Sequence, residues 1–253
     1  MDIKKTWLFT KPIAHRGLHT ADLPENSIAA FSNAAKCGFP VELDVRLLAD
    51  GTIVVFHDDK LSRMTGRDGY ISGIAADDLK NTNLWNIAGE PTEWMIPTFE
   101  KVLETINGQT PILIETKNQT ACGPMESKVI EMLHSYKGEV AVQSFSPYSL
   151  EYFKKNAFEI PRGQLSTLFT KEDLPSALKR SILRRLKMNH VSRPDFVSYR
   201  FDLLPNKWVT RTKLPTLAWT VRSNADLERV ITYCDNIIFE NFIPQIEKGE
   251  AGE

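Results

Sequence analysis

Four short stretches carry side chains that suit one piece of chemistry. His15-Arg16-Gly17 sets an imidazole and a guanidinium beside a glycine that lets the chain turn sharply. Val41-Glu42-Leu43-Asp44-Val45 spaces two carboxylates two residues apart, so in a strand both acids share one face and the apolar residues take the other. Glu115-Thr116-Lys117 repeats that spacing with an acid and a base, and His57 supplies a second imidazole at the end of a β-rich run. Carboxylates buried together repel each other and lose their water, so a divalent cation or basic partners must compensate. Oxygen-only ligation by Glu42, Asp44 and Glu115 favours Mg²⁺ or Ca²⁺ over zinc and leaves coordination positions for water or phosphate oxygens. Arg16 and Lys117 would neutralise the rest of a phosphate. Hydrolysis of a phosphodiester needs one group to take a proton from the nucleophile and another to give one to the departing alkoxide. His15 and His57 suit those roles. Each fragment alone has a plainer reading: salt-bridged acids meeting arginines for Glu42 and Asp44, a strand-end ion pair for Glu115 and Lys117, a hydrogen-bonded structural residue for His15. His19, His134 and His190 lie outside the pattern and read as solvated or structural.

These stretches are far apart in the chain, and its apolar rhythm predicts what gathers them. Short β-rich runs at 12–16, 41–46, 111–116, 139–144, 161–166, 195–200, 215–221 and 236–240 alternate with helix-period segments. Ile28, Phe31, Ala34 and Ala35 share a helix face that stops at Gly38; Thr98 caps a helix with Phe99, Val102, Leu103 and Ile106 inward; Ser146-Pro147 opens another through Leu150 and Phe153. Eight strands, each followed by a helix, predict a closed α/β fold, the (β/α)8 TIM barrel, with active-site residues at the C-terminal ends of its strands. Residues 52–57 break the rhythm. Asp50-Gly51 between two β-runs predicts a two-residue hairpin that folds 52–57 back antiparallel and sets His57 opposite Asp44. Residues 58–97 then form a small insertion after the second strand, over the barrel mouth, with Trp85 and Trp94 as the core that holds it down. The expectation is one domain over 1–253.

Composition narrows the partners. Apolar residues make up 42% and charged residues 25%, ordinary for a globular chain that buries a core. With 31 basic against 32 acidic side chains no global field recruits nucleic acid, so any affinity for phosphate must be local. Cys37, Cys122 and Cys234 are widely spaced without a metal-finger pattern, which fits free thiols in a cytoplasmic protein. Trp7-Leu8-Phe9 is too short for the apolar core of a signal peptide, and no long apolar run predicts a membrane span. The Glu-Gly-rich stretch after Gln245 reads as a disordered tail.

Taken together, Ile13-Ala-His-Arg-Gly17, Pro24-Glu-Asn26, Ala30-Phe31, Gly38, Val41-Glu-Leu-Asp-Val45, Asp50-Gly51 and Val55-Phe-His-Asp58 resemble the glycerophosphodiester phosphodiesterase family. Leu61 to Gly66, Ile96-Pro-Thr98, Glu115-Thr-Lys117, Gln143-Ser-Phe145 and Trp219-Thr-Val221 continue the likeness along nearly the whole chain. The resemblance implies a barrel with a small insertion, cleavage of glycerophosphodiesters to glycerol 3-phosphate and an alcohol, and dependence on Ca²⁺ or Mg²⁺. It implies His15 and His57 as the acid/base pair, Glu42, Asp44 and Glu115 as ligands of one divalent cation, and Arg16 and Lys117 as phosphate contacts. Trp219 would pack on the glycerol moiety or serve as a core aromatic. Two positions depart from the family pattern: Glu240-Asn241 stands where a Thr-Asp-x-Pro ending is commoner, and Arg222 where Asn is common. Both fall at the mouth, where loops set specificity.

The alternative within the same barrel is lysophospholipase-D-like hydrolysis of lysophospholipids, with the basic run 179–187 as a lipid-facing surface; its plainer reading is a solvated helix face. A phosphoinositide-cleaving lyase is a further rival, and a catalytically silent barrel that binds a phosphorylated ligand is the rival from another class. The favoured partner is a small-molecule glycerophosphodiester, without nucleic acid or membrane contact and with no prediction of oligomeric state.

Overall fold

The computed structural model describes residues 2–117 and 122–245. Strands run in the order β1 (Ile13–Ala14), β2 (Val41–Leu47), β3 (Ile53–Val55), β4 (Asn83–Trp85), β5 (Pro91–Met95), β6 (Ile112–Thr116), β7 (Val140–Ser144), β8 (Arg162–Ser166), β9 (Phe196–Arg200), β10 (Thr216–Val221) and β11 (Asn236–Phe239). Eight of them, β1, β2, β6, β7, β8, β9, β10 and β11, are parallel neighbours, and β1 pairs with both β11 and β2, which closes the ring. All eight predicted strands are present. The barrel closes because each strand is apolar on its outer face and each helix brings a matching stripe. Val41, Leu43, Val45, Ile112, Ile114 and Val142 pack against Phe31, Phe99, Val102, Val129, Leu150 and Phe153. The predicted helices begin at their caps: the side chains of Ser27, Thr98 and Ser146 accept from the backbone N–H groups of Ala30, Lys101 and Ser149.

Among the described residues the helix expected after each strand is found for all but the last. Among the described residues β11 runs into an irregular segment through Gln245, and the predicted tail beyond it lies outside them. The floor of the barrel is sealed instead from the N-terminal side. A short helix, Trp7–Thr10, buries Leu8 against Ile13, Leu113, Ala141, Phe196, Leu217 and Ile238, and the Asn236 amide ties it down by donating to the carbonyls of Leu8 and Lys11 at 2.8 and 2.6 Å. Gly163 makes this floor possible, because a Cβ there would stand 2.1 Å from the Phe196 ring. Gly163→Ala is therefore expected to destabilise the protein by about 1–3 kcal/mol through overpacking. A urea midpoint equal to that of the wild type would show that the floor has slack.

The hairpin forms in a register one residue away from the expected one. Val45 opposes Val55 and Leu47 opposes Ile53, so Asp44 opposes Phe56, whose N–H donates to the Asp44 carbonyl at 2.9 Å, rather than His57. The loop has three residues, not two. Leu48 N–H donates to the Thr52 carbonyl, Gly51 N–H to the Leu48 carbonyl, and Gly51 takes φ +85°, the left-handed position of a three-residue hairpin. A slip of one exchanges the faces, and Leu48, Val54 and Phe56 become the seat of the 58–97 segment. That segment is held by Leu61, Met64, Ile71, Leu79, Leu84 and Ile96, an aliphatic core in place of the expected tryptophan one. Trp85 and Trp94 are half-buried, Trp85 lying over Gly66, and β4 and β5 make a small antiparallel ribbon.

Candidate active site

The alternation of β2 and β6 fixes the acidic group. With their odd-numbered neighbours in β2 facing the helices, Glu42 and Asp44 point into the barrel, and Asp44 stands in register with Glu115. Carboxylate oxygens of Glu42, Asp44 and Glu115 all lie within 4.8 Å of one another, and all three residues are buried. Lys117, two residues past Glu115, reaches back to pair with it and places its Nζ 3.0 Å from Asp44 Oδ1. Arg16 Nε lies 3.4 Å from Asp44 Oδ2, which also accepts from the Asn26 amide at 2.9 Å. Glu42 has weaker company: its oxygens accept from the Arg16 backbone N–H at 3.1 Å and from the Gln143 amide at 3.3 Å.

The three acids are therefore not equivalent. Burial, with the charges of Asp44 and Glu115, pushes the Glu42 carboxyl well above its ordinary range. Burial alone would do the same to Asp44, but Lys117, His57 and Arg16 hold it well below. The largely enclosed position of Lys117 favours the neutral amine; Asp44 and Glu115 outweigh that and raise its pKa. Asp44 Oδ1 and Glu115 Oε1 are buried and have no partner besides the Lys117 ammonium. Three convergent carboxylates with two such oxygens fit a hard divalent cation that keeps open coordination positions.

Each imidazole is held by a carboxylate through Nδ1. His15 Nδ1 lies 2.5 Å from Glu240 Oε2, and His57 Nδ1 lies 2.7 Å from Asp58 Oδ1. These contacts assign a proton to each Nδ1 and leave each Nε2 as the nitrogen that can take up or give a proton. Burial, helped by Arg16, depresses the His15 pKa to about 4 in spite of Glu240. Glu240 itself is kept ionised by His15, His19 and Arg222 against the cost of its burial, with Arg222 Nε at 2.6 Å. His19, outside the predicted set, is half-buried with Nε2 3.7 Å from the same carboxylate. His57 lies beyond the end of β3, and its carbonyl accepts from the buried Arg46 guanidinium at 2.8 Å, which replaces the strand pairing expected to place it.

One cavity of about 710 Å³ is lined by His15, Arg16, Glu42, His57, Glu115, Lys117 and Trp219, so seven of the eight predicted residues share its wall. Asp44, the eighth, lies behind them between Lys117 and Arg16. From the 58–97 segment Asp59 contributes to the lining. Trp219 meets Phe145 edge to face at 5.7 Å, Phe145 meets Phe169 at the same distance, and the buried Trp219 Nε1 has no hydrogen-bond partner. The three rings make an apolar wall beside a charged floor.

Several contributors were not read as functional from the sequence. Glu240 was visible as an acid two residues past Ile238 on the last strand. Glu25 joins Arg16 to Arg63, with Arg16 NH1 at 2.7 Å, and the Pro24-Glu25-Asn26 stretch carried that signal. Gln143 accepts from the Ser198 hydroxyl at 2.8 Å while donating to Glu42, a buried relay that only ring closure creates.

A family model described as the glycerophosphoryl diester phosphodiesterase family matches residues 15–243. A glycerophosphodiester phosphodiesterase of Caldanaerobacter subterraneus subsp. tengcongensis is 32% identical over 252 residues, spanning 95% of this chain and 99% of its own. One from Bacillus subtilis is 27% identical, spanning 95% and 86%. A solved Oleispira antarctica phosphodiesterase, in complex with the product sn-glycerol-3-phosphate, superposes with a TM-score of 0.76 at 24% identity, over 92% of this chain and 93% of that one.

Proposed function

The chain belongs to the glycerophosphoryl diester phosphodiesterase family, and on that premise we propose that it hydrolyses glycerophosphodiesters to glycerol 3-phosphate and an alcohol, using a divalent cation and the His15/His57 pair. The observation that carries the reading is the convergence of Glu42, Glu115 and two carboxylate-held imidazoles on one cavity, with Asp44 directly behind the two acids and within 4.8 Å of them. Glu42, Asp44 and Glu115 would hold Mg²⁺ or Ca²⁺. When bound, the cation supplies charge to offset the phosphate and to ease deprotonation of the nucleophile. Arg16 and Lys117 meet the remaining phosphate oxygens. His15, kept neutral by burial, accepts the nucleophile's proton at Nε2; His57, nearer solvent, donates to the leaving alkoxide. Trp219, with Phe145 and Phe169, faces the carbon skeleton of the substrate.

The site belongs, in this reading, to a single domain over 1–253, with 58–97 as its insertion beside the mouth. No helix among the described residues is long and apolar enough to cross a membrane. Cys37 and Cys234 form no disulfide, in keeping with a cytoplasmic setting.

The test is a turnover assay of glycerol 3-phosphate release from glycerophosphocholine and related soluble diesters. Chelation is expected to abolish it and Mg²⁺ or Ca²⁺ to restore it; an undiminished rate in chelator would remove the cation from the mechanism. Cleavage of lysophosphatidylcholine with every soluble diester refused would establish the lysophospholipase-D-like alternative instead.

A further inference from the structure

A second cavity, of about 420 Å³, opens on the outer flank of the barrel, between the helices Asn189–Ser192 and Lys207–Thr212. Arg185, Arg193, Arg211, Asn189 and Trp208 line it. Arg185, Lys207 and Arg211 crowd the Trp208 ring, 5.2, 5.1 and 4.9 Å from its centroid. No acidic residue occurs between Ser176 and Pro194 or between Leu203 and Leu214, and no ion pair compensates these cations among the described residues. Cations in the last turn of a helix are ordinary, because they offset the negative end of its dipole. That does not explain the polar atoms inside: the donors Arg185 Nε and Asn189 Nδ2, together with the acceptor Asn189 Oδ1, are buried without a hydrogen-bond partner. Buried donors facing uncompensated positive charge call for an anion with several acceptor oxygens.

We propose that this pocket is an anion site separate from the catalytic mouth, which takes a phosphate group through Arg185, Arg193, Arg211 and the Asn189 amide. The guanidinium forks match tetrahedral oxygens, and Asn189 supplies the neutral donor that orients them. The same group is offered by a soluble phosphate monoester or by the headgroup of an anionic lipid, and the experiment separates the two.

Inorganic phosphate is titrated into the ¹⁵N-labelled protein while the indole N–H signals of Trp208 and Trp219 are followed, the first assigned with Trp208→Phe. Trp208 reports this pocket and Trp219 the mouth. A saturable shift at Trp208, weakened about tenfold in Arg211→Gln and Asn189→Ala, is expected. The Trp219 response and diester turnover should stay at wild-type values, which also shows that the variants fold. Vesicles of phosphatidylglycerol form the second arm; cosedimentation lost in the same variants, with no response to soluble phosphate, assigns the pocket to lipid. Silence in both arms, or equal binding by wild type and variants, overturns the site.

Discussion

Replacing His57 with alanine is expected to slow release of glycerol 3-phosphate from glycerophosphocholine by about 10²- to 10⁴-fold, yet to leave cleavage of a nitrophenyl glycerophosphodiester within about tenfold of wild type. The reason is the leaving group. An alkoxide needs a proton as it departs and nitrophenolate does not, so loss of the acid matters for the first substrate only. His15→Ala should slow both, because every diester needs its nucleophile deprotonated. The assignment rests on burial, which holds the His15 imidazole neutral with a pKa of about 4. The base stays competent as pH falls through the ordinary imidazole range, so the acid limb of kcat/KM belongs near pH 4 rather than 6.5. An acid limb at or above 6.5, or equal losses on both substrates in His57→Ala, would reverse or remove these roles.

The second large effect separates two acids that sit two residues apart. Asp44→Asn and Glu42→Gln are both expected to abolish turnover, since each removes an anionic oxygen from the proposed cation site. In metal-free protein their stabilities should diverge. Asp44 is the counter-charge of Lys117 and Arg16, and breaking a buried pair by neutralising one partner costs about 3–5 kcal/mol. The sign follows from the depressed Asp44 pKa: its stabilisation is present above the unfolded value and is lost only as pH falls below it, so Asp44→Asn is weaker throughout the neutral range. Glu42 has the opposite sign. Its raised pKa means the fold favours the protonated form, and stability declines as pH climbs from the unfolded value through the raised one. Glu42→Gln keeps a neutral side chain of the same shape and should unfold no earlier than wild type at pH 7. Thermal unfolding in chelator measures both, and a Glu42→Gln protein less stable than Asp44→Asn would contradict the charge assignment.

Much of this site was legible because strand parity is a local property. Once 41–46 is a strand, Glu42 and Asp44 must share a face, and Val41, Leu43 and Val45 decide which face is interior. The same holds for Glu115 and Lys117. What parity cannot supply is the length of a tight loop: Asp50-Gly51 suits a two-residue turn and a three-residue one ending in left-handed glycine, and the choice fell to the second. His57 still reaches the cavity, through Arg46 and Asp58 rather than through pairing with Asp44. Contacts between remote residues were the least legible. Nothing near Gln143 announces that it links Ser198 to Glu42, and nothing near Trp7 announces that the helix it opens floors the barrel.

The bond from Glu240 to His15 spans 225 positions, from the last strand to the first. During synthesis the imidazole emerges with the first barrel strand and waits for its orienting partner until the eighth has left the ribosome. A nascent chain stalled before the final barrel strand lacks Glu240, so the proposed proton acceptor is unaligned and the cylinder around it is open. On the proposed roles, catalytic power in this architecture arrives all at once, when the eighth barrel strand is in place, and its appearance can serve as a clock for ring closure.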